Sequence, residues 1–562
     1  MKLRRIILAG LIAPMATLAT PAAALRATPG VVLNPQGSFL NDLSIRGSTF
    51  DGAGMALGGL TLRNPQTGHF HAELPLTAWM LSRPAVRTGL GNQGGHSVGT
   101  VHLDLLPIIG KKQFEAGFGT SRSEWQNLLV QQMLTDSLGI GVFAGRESGD
   151  GLDYPDNETD RETIGGHLQY KQDGTQVDLL IAHQEKEFGA RGYYGVSDRL
   201  AATEATEDTL LFLSALKGDP AADYLRGGIA WREFHDDYRL PTRGYRSNLR
   251  SRVGSVFVDG RTMEINGWTL GGRADLDAER VSGGAAGVYR RQRGGVSILP
   301  QWRNDRFKIT AGARGEFLSD ESTEILPQLG AEYFLSDNLT AFASYTETAR
   351  QPSYAELYET SPGRLGSPTL KTETARQTEI GLKGIPSEFM DWKLTAFHRR
   401  SKNTIDWVRP SSAGRWTATD IGDLNTFGAE AQLGWYPAQN LELQFLYTWL
   451  HKDRDAADYG NYASRYALDY PEHLAQAFLL WRPVQSLEVG TVQALRWQTD
   501  NPVRTDGDFG ADSSFVVCFT PPKAEWATLS LLLNNAWDDD FQALPGQRPP
   551  ERFAGVSLSV DL

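Results

Sequence analysis

The sequence predicts an all-β fold, a 22-stranded antiparallel barrel that crosses a membrane with strands, and three observations carry that expectation. Segments of alternating polarity recur along the chain, short turn-forming clusters alternate with longer loops rich in charge and glycine, and no run of about 18 apolar residues follows the N-terminal region. With 59 Gly, 14 Trp, 18 Tyr and 24 Phe, the 562 residues suit one very large sheet. A mean hydropathy of -0.35 is compatible with this, because a barrel spends apolar side chains only at every second position.

Residues 1–24 read as a secretory signal: Lys2, Arg4 and Arg5 precede an apolar run, and Pro21-Ala-Ala-Ala24 supplies an A-x-A-like site, with cleavage expected before Leu25. Residues 25–110 form the next unit, rich in Gly and short strand-like runs, and 111–562 the barrel. Within the barrel, Phe307, Ile309, Ala311, Ala313 and Phe317 alternate with Lys308, Thr310, Arg314 and Glu316. Leu441, Leu443, Phe445, Tyr447 and Trp449 alternate with Glu442, Gln444 and Thr448, and Val556, Leu558, Val560 and Leu562 with Ser557, Ser559 and Asp561. A one-residue slip would place charges in lipid, so these patterns fix which face looks outward. Turns read at 135–137, 172–174, 218–220, 259–261, 303–305, 336–338, 385–387, 436–439, 482–484 and 521–523, and ten such turns joining eleven hairpins give 22 strands.

The longest loop falls in residues 346–384, between a strand beginning at Leu339 and one beginning at Glu379. It contains Arg350-x-Pro-Ser-x-x-Glu-Leu-Tyr358, then Gly366-Ser-Pro-x-Leu-Lys-x-Glu373, then Gln377-x-Glu-Ile-Gly381. These words resemble the central barrel segment of TonB-dependent outer-membrane receptors. Asp42-Leu-Ser-Ile-Arg-Gly-Ser48, Asn64-Pro-Gln-Thr-Gly-His69 and the run from Val98 to Leu105 resemble the second part of that family's plug domain. Val86-Arg-Thr-Gly89 stands where the family usually has L-R-G-P. Glu187-Phe-Gly-Ala-Arg-Gly-Tyr-Tyr194, Asn425-x-x-Gly428-x-Glu430, Ser464-Arg-Tyr-Ala-Leu-Asp-Tyr-Pro-Glu-His473 and Leu533-Asn-Asn-x-Trp-Asp538 look like motifs of the vitamin B12 (cobalamin) receptor branch.

The resemblance implies a shortened plug in the barrel lumen, import of a scarce nutrient that is cobalamin-like or a metal chelate (siderophore), and residence in a bacterial outer membrane. It also implies a plug–barrel latch in which Arg46 and Arg87 meet Glu373 and Glu379. The first plug elements and the TonB box have no counterpart between Leu25 and the first plug words, so coupling to TonB is not expected of this chain alone. A passive channel, or a receptor whose missing plug portion comes from a companion chain, are the alternatives.

A net charge of -12 argues against nucleic acid as a partner, and no G-x-S-x-G or comparable frame points to an enzyme. Cys518 reads as a small apolar strand residue. Asp150, Asp153, Asp156 and Asp160 offer hard oxygens for a loop-bound Ca2+, although such acidic loops are usually solvated. His69 and His71 read as structural or solvated rather than metal-bound. Phe188, Arg191, Tyr193, Tyr194, Tyr354, Tyr358, Tyr459, Tyr462 and Tyr466 lie in predicted external loops, where rings serve either a large ligand with apolar faces or an interfacial girdle.

Overall fold

The computed structural model describes residues 21–26, 28–93, 96–284, 287–319, 322–410, 414–454 and 462–562. Twenty-two antiparallel strands, from Lys112–Gly119 to Phe553–Asp561, close into a barrel, the last strand pairing with the first through Val556 opposite Phe118 and Ser559 opposite Glu115. Closure leaves no unpaired strand edge, which is what allows a sheet to sit in hydrocarbon.

The alternation read from the sequence orients the strands as expected. In Phe307–Leu318 the side chains of Phe307, Ile309 and Phe317 face outward and exposed, whereas Arg314 and Glu316 are buried in the lumen. Ten short turns gather at one barrel end. Around 259–261, 385–387, 436–439 and 482–484 the strands continue into the predicted turn residues and bend slightly later. Asp259 shows why: it accepts from Tyr224 Oη at 2.9 Å and from both Nε and Nη2 of Arg226 at 2.9 Å, so cross-strand bonds carry the ladder past Asp-Gly.

The strands Thr175–Gly189 and Thr203–Gly218 break the alternation, with Leu179-Leu-Ile-Ala182 and Leu210-Leu-Phe-Leu213 apolar on both faces. Ile181 and Leu211 look outward, while Leu180, Ala182, Leu210 and Phe212 join the hydrophobic core of the domain inside the lumen. A strand covered by lipid on one side and protein on the other has no reason to alternate.

That inner domain occupies residues 25–105. Val31–Pro35 pairs with Asn41–Ile45, and a four-stranded sheet runs in the order Leu60–Leu62, Ala53–Leu57, Gly99–Leu103, Ala85–Thr88, the middle pair parallel. Its core includes Leu25, Val31, Leu43, Ile45, Met55, Leu57, Val101 and Leu103.

The long loop is shorter than the sequence suggests, because the strand after it begins at Glu373 and pairs from there, Arg350 opposite Glu373. Between the two strands, Tyr354–Tyr358 forms one helical turn whose Ser353 and Glu356 make a reciprocal capping box. Its first free amides bond the inner domain rather than water: Tyr354 N–H donates to Pro65 O and Ala355 N–H to Gln66 O, both at 2.9 Å. Four short loop strands, Arg364–Leu365, Trp416–Asp420, Ile405–Pro410 and Tyr462–Ser464, add a small sheet at the same end.

Candidate functional site

Among the contacts that join the inner domain to the barrel wall, two form candidate sites. The first is built on the turn after Asn41–Ile45, where Ser48 N–H donates to Ile45 O at 3.0 Å and both Arg46 (φ 51°) and Gly47 (φ 64°) are left-handed. Such a turn normally takes Gly or Asn at its first centre, so an arginine there is held by what it reaches. Arg46 donates from Nη1 to Glu379 Oε1 at 2.5 Å, and from Nε and Nη2 to the two oxygens of Glu430 at 2.9 and 2.6 Å. Its guanidinium lies 4.2 Å from the centre of the Phe397 ring. Gly428, two residues before Glu430 and on the same face, leaves room for that ring: a Cβ there would stand 2.2 Å from Phe397.

Arg87 and Glu373 stand apart from this latch. Arg87 is exposed on the edge strand of the inner sheet, and Gly89 approaches Glu379 in its place, a Cβ on Gly89 falling 2.8 Å from Glu379 Oε2. Glu373 instead accepts from Arg350 at 3.2 Å, and Arg350 also holds Glu356 of the capping box. Glu430 was part of a recognisable word, but nothing in its spacing marks it as Arg46's partner.

The second site is a cavity of about 250 Å³ between inner-domain residues 66–70, the outer ends of Thr203–Gly218, Tyr224–Leu240 and Tyr245–Arg261, and the 351–372 loop. Tyr194, Tyr354 and Tyr358, named from the sequence, line it together with Tyr238 and Tyr245. Successive rings approach edge or tilted, Tyr194–Tyr238 at 5.9 Å, Tyr238–Tyr245 at 6.4 Å and Tyr354–Tyr358 at 5.6 Å between centroids.

Arg364, on the long loop, ties the cavity wall to the plug. Buried, it donates from Nε to Tyr194 O at 2.9 Å, from Nη1 to His69 Nε2 at 3.1 Å and from Nη2 to Tyr466 Oη at 3.0 Å. His69 Nδ1 in turn donates to Asp42 Oδ1 at 2.5 Å, leaving Nε2 as the acceptor. Burial and the neighbouring arginines hold His69 below the ordinary histidine range, in keeping with that neutral form. Tyr466 is therefore a support of the cavity: it bonds Arg364 and packs edge-on against Phe50 at 4.7 Å. His71 is also buried, donating toward Ala53 O at 2.9 Å, and burial pushes it down to about 4.

The other predicted ligand residues lie elsewhere. Phe188 and Tyr193 belong to a closed hydrophobic cluster, the Tyr193 ring filling the space where Gly37 lacks a side chain. Arg191 pairs with Asp156, Tyr462 is exposed, and Tyr459 lies outside the described residues. The four expected calcium ligands do not converge. Asp150 faces Arg122 at 2.7 Å, Asp160 faces Arg146 at 2.8 Å, Asp156 faces Arg191, and Asp153 accepts from Ser38 Oγ at 2.7 Å and Asn157 Nδ2 at 2.8 Å. Carboxylates each turned to a separate partner leave no shared cation pocket, and no group of three or more ligating side chains occurs among the described residues.

Glu204, Asp236, Tyr238, Tyr245 and Arg364 were not singled out from the sequence. The first four sit at strand ends, where a polar inward residue looks like any lumen residue until the register of three strands is known. Arg364 stood inside the longest loop, and its Pro-Gly-Arg-Leu-Gly setting was the available signal.

Three comparisons bear on kinship. Over 200 residues the chain is 27% identical to the iron-regulated outer membrane virulence protein of Vibrio cholerae, a stretch covering 33% of this chain and 30% of that protein. It is 20% identical over 443 residues to the vitamin B12 transporter BtuB of Vibrio vulnificus, covering 73% of this chain and 68% of the relative. The FrpB iron transporter of Neisseria meningitidis superposes with a TM-score of 0.76 at 11% identity, covering 98% of this chain and 97% of that one, which speaks to the fold. Residues 110–545 match the model of the family described as TonB dependent receptor-like, beta-barrel, and with its 22 closed strands around an N-terminal plug this bacterial outer-membrane chain belongs to that family.

Proposed function

We propose that this receptor binds a scarce small-molecule nutrient from the external medium, a metal chelate of the siderophore kind or a cobalamin-like ligand, and imports it. The supporting observation is that the tyrosine-lined cavity has the plug for its floor and the long loop for its wall, with the loop helix bonded directly to plug carbonyls at Pro65 and Gln66. A ligand seated there touches the segment 66–70 of the plug and the loop together, so its binding energy can act on how the two are docked. The names of the relatives favour the same ligand classes: one is iron-regulated and another carries vitamin B12.

Uptake of radiolabelled ferric chelates and cobalamin by a receptor-deficient host expressing the chain tests this reading. Uptake of one class that falls sharply with Arg364→Met supports it, and uptake of neither class overturns it.

A further inference from the structure

The wall of the same cavity holds two buried acidic side chains that form no ion pair among the described residues. Glu204 and Asp236 are 3% and 5% exposed and line one wall of the cavity, near enough that each carboxyl bears on the other's charge. Tyr194 Oη donates to Glu204 Oε2 at 2.7 Å and Gln66 Nε2 donates to Asp236 Oδ2. Neither carboxyl has an arginine or lysine within ion-pairing distance among the described residues. The cations nearby are already committed: Arg364 to His69, Tyr466 and Glu359, Arg246 to Asp237 at 2.6 Å, and Lys186 to Glu73 at 3.0 Å.

Two neighbouring carboxyls in a buried wall hold a proton or bind a cation, since both cannot be ionised there without one. Three acceptor or hydroxyl oxygens lining the cavity are moreover buried without a partner: Asp236 Oδ1, Gln66 Oε1 and Tyr238 Oη. Buried acceptors left open are costly, and they are satisfied by a guest that brings donors. The rings of Tyr238, Tyr245 and Tyr358 line the same cavity, and a tyrosine ring attracts a cation; that of Tyr194 already carries the Arg364 guanidinium at 5.3 Å.

We propose that Glu204 and Asp236, with Tyr194, Tyr238, Tyr245 and Tyr358 around them, form a subsite for a cationic nitrogen group, an ammonium or guanidinium carried on the imported ligand. This rests on the cavity being the ligand site and adds what chemistry the ligand must present to one of its walls. A purely anionic chelate meets repulsion at this wall, whereas one with a basic arm gains two charge-assisted hydrogen bonds and ring contact.

Titration calorimetry of the purified full chain in detergent, with benzamidine as probe and benzamide and benzoate as its neutral and anionic counterparts, tests the subsite. Benzamidine is expected to bind saturably, with both counterparts about tenfold or more weaker. Glu204→Gln and Asp236→Asn, which keep side-chain shape, are each expected to remove that preference, while Arg122→Gln at a distant exposed pair leaves it intact. Heat-modifiable migration on gels establishes that each variant is a folded barrel. Benzamidine binding no tighter than benzoate, or unchanged in folded Glu204→Gln and Asp236→Asn, overturns the subsite. If uptake through the receptor nevertheless depends on Arg364, the cation subsite alone has failed and the receptor reading stands.

Discussion

Arg46 of the plug and Glu379 of the barrel meet at 2.5 Å in a lumen pocket where both are nearly inaccessible, and Glu430 completes the pair on the other side. Charges removed from water hold together only while every partner is present, and losing one member of a buried pair costs about 3–5 kcal/mol. Arg46→Met therefore leaves two carboxylates facing each other and loosens the turn at 45–48. Hydrogen exchange should show faster exchange across residues 41–48 in this variant. The triple variant Arg46→Met, Glu379→Gln, Glu430→Gln should recover much of the protection, because it removes the stranded charges as well. Unchanged exchange in Arg46→Met would mean that this latch does not hold residues 41–48 in place.

The capping box on the long loop links the plug to the cavity wall. Ser353→Ala removes the acceptor for Glu356 N–H, a loss of about 0.5–2 kcal/mol for an N-cap. Because the amides of Tyr354 and Ala355 are bonded to the plug, the loosening should extend to residues 64–67. Exchange confined to 353–358 would show that the loop and plug are docked independently.

Asp51 sits beneath this helix, accepting from Gly68 N–H at 2.8 Å and lying beside Glu356 and Arg350. Burial, reinforced by Glu356, pushes its carboxyl up to about 8. A folded value above the unfolded one of 3.8 means that the native state holds the extra proton. The contribution is fully present below pH 3.8 and is lost as pH rises through 8. Plug protection should fall as pH rises from about 4 to about 8 and level off above that, and Asp51→Asn should flatten that dependence. An identical slope in the variant would assign it to other groups.

The outward face makes an independent prediction. Ile181 is 55% exposed on the lipid side of a strand whose next residue, Ala182, packs on the plug. Ile181→Arg should destabilise the barrel in bilayers by about 2–4 kcal/mol if the residue lies near the midplane, read from denaturant unfolding in vesicles. Destabilisation under 0.5 kcal/mol, roughly the scale of an ordinary surface change, would contradict the facing assigned to this strand.

The sequence made the barrel legible wherever lipid on one face and a polar lumen on the other imposed a period of two, as in Phe307–Leu318. It was silent where the plug replaced the polar lumen, as at Leu179–Ala182, because both faces then call for apolar side chains. The latch was half visible: the family words contained Arg46, Glu379 and Glu430, but which acid meets which arginine depends on strand order and on Arg87 lying at a sheet edge. The cavity was visible through Tyr194, Tyr354 and Tyr358, which come from words in loops. Glu204 and Asp236 come from separate strands and acquire meaning only by lining one cavity. The acidic loop looked like a metal site because its arginine partners, Arg122, Arg146 and Arg191, lie on other strands or loops.

The most direct test of the receptor account is equilibrium binding of a panel of ferric chelates and cobalamin to the purified protein, alongside a variant carrying Tyr358→Ser and Arg364→Met. The account predicts saturable binding of at least one compound and a loss of about tenfold or more in the folded variant. Binding of none of them, or binding that the variant leaves untouched, would contradict it.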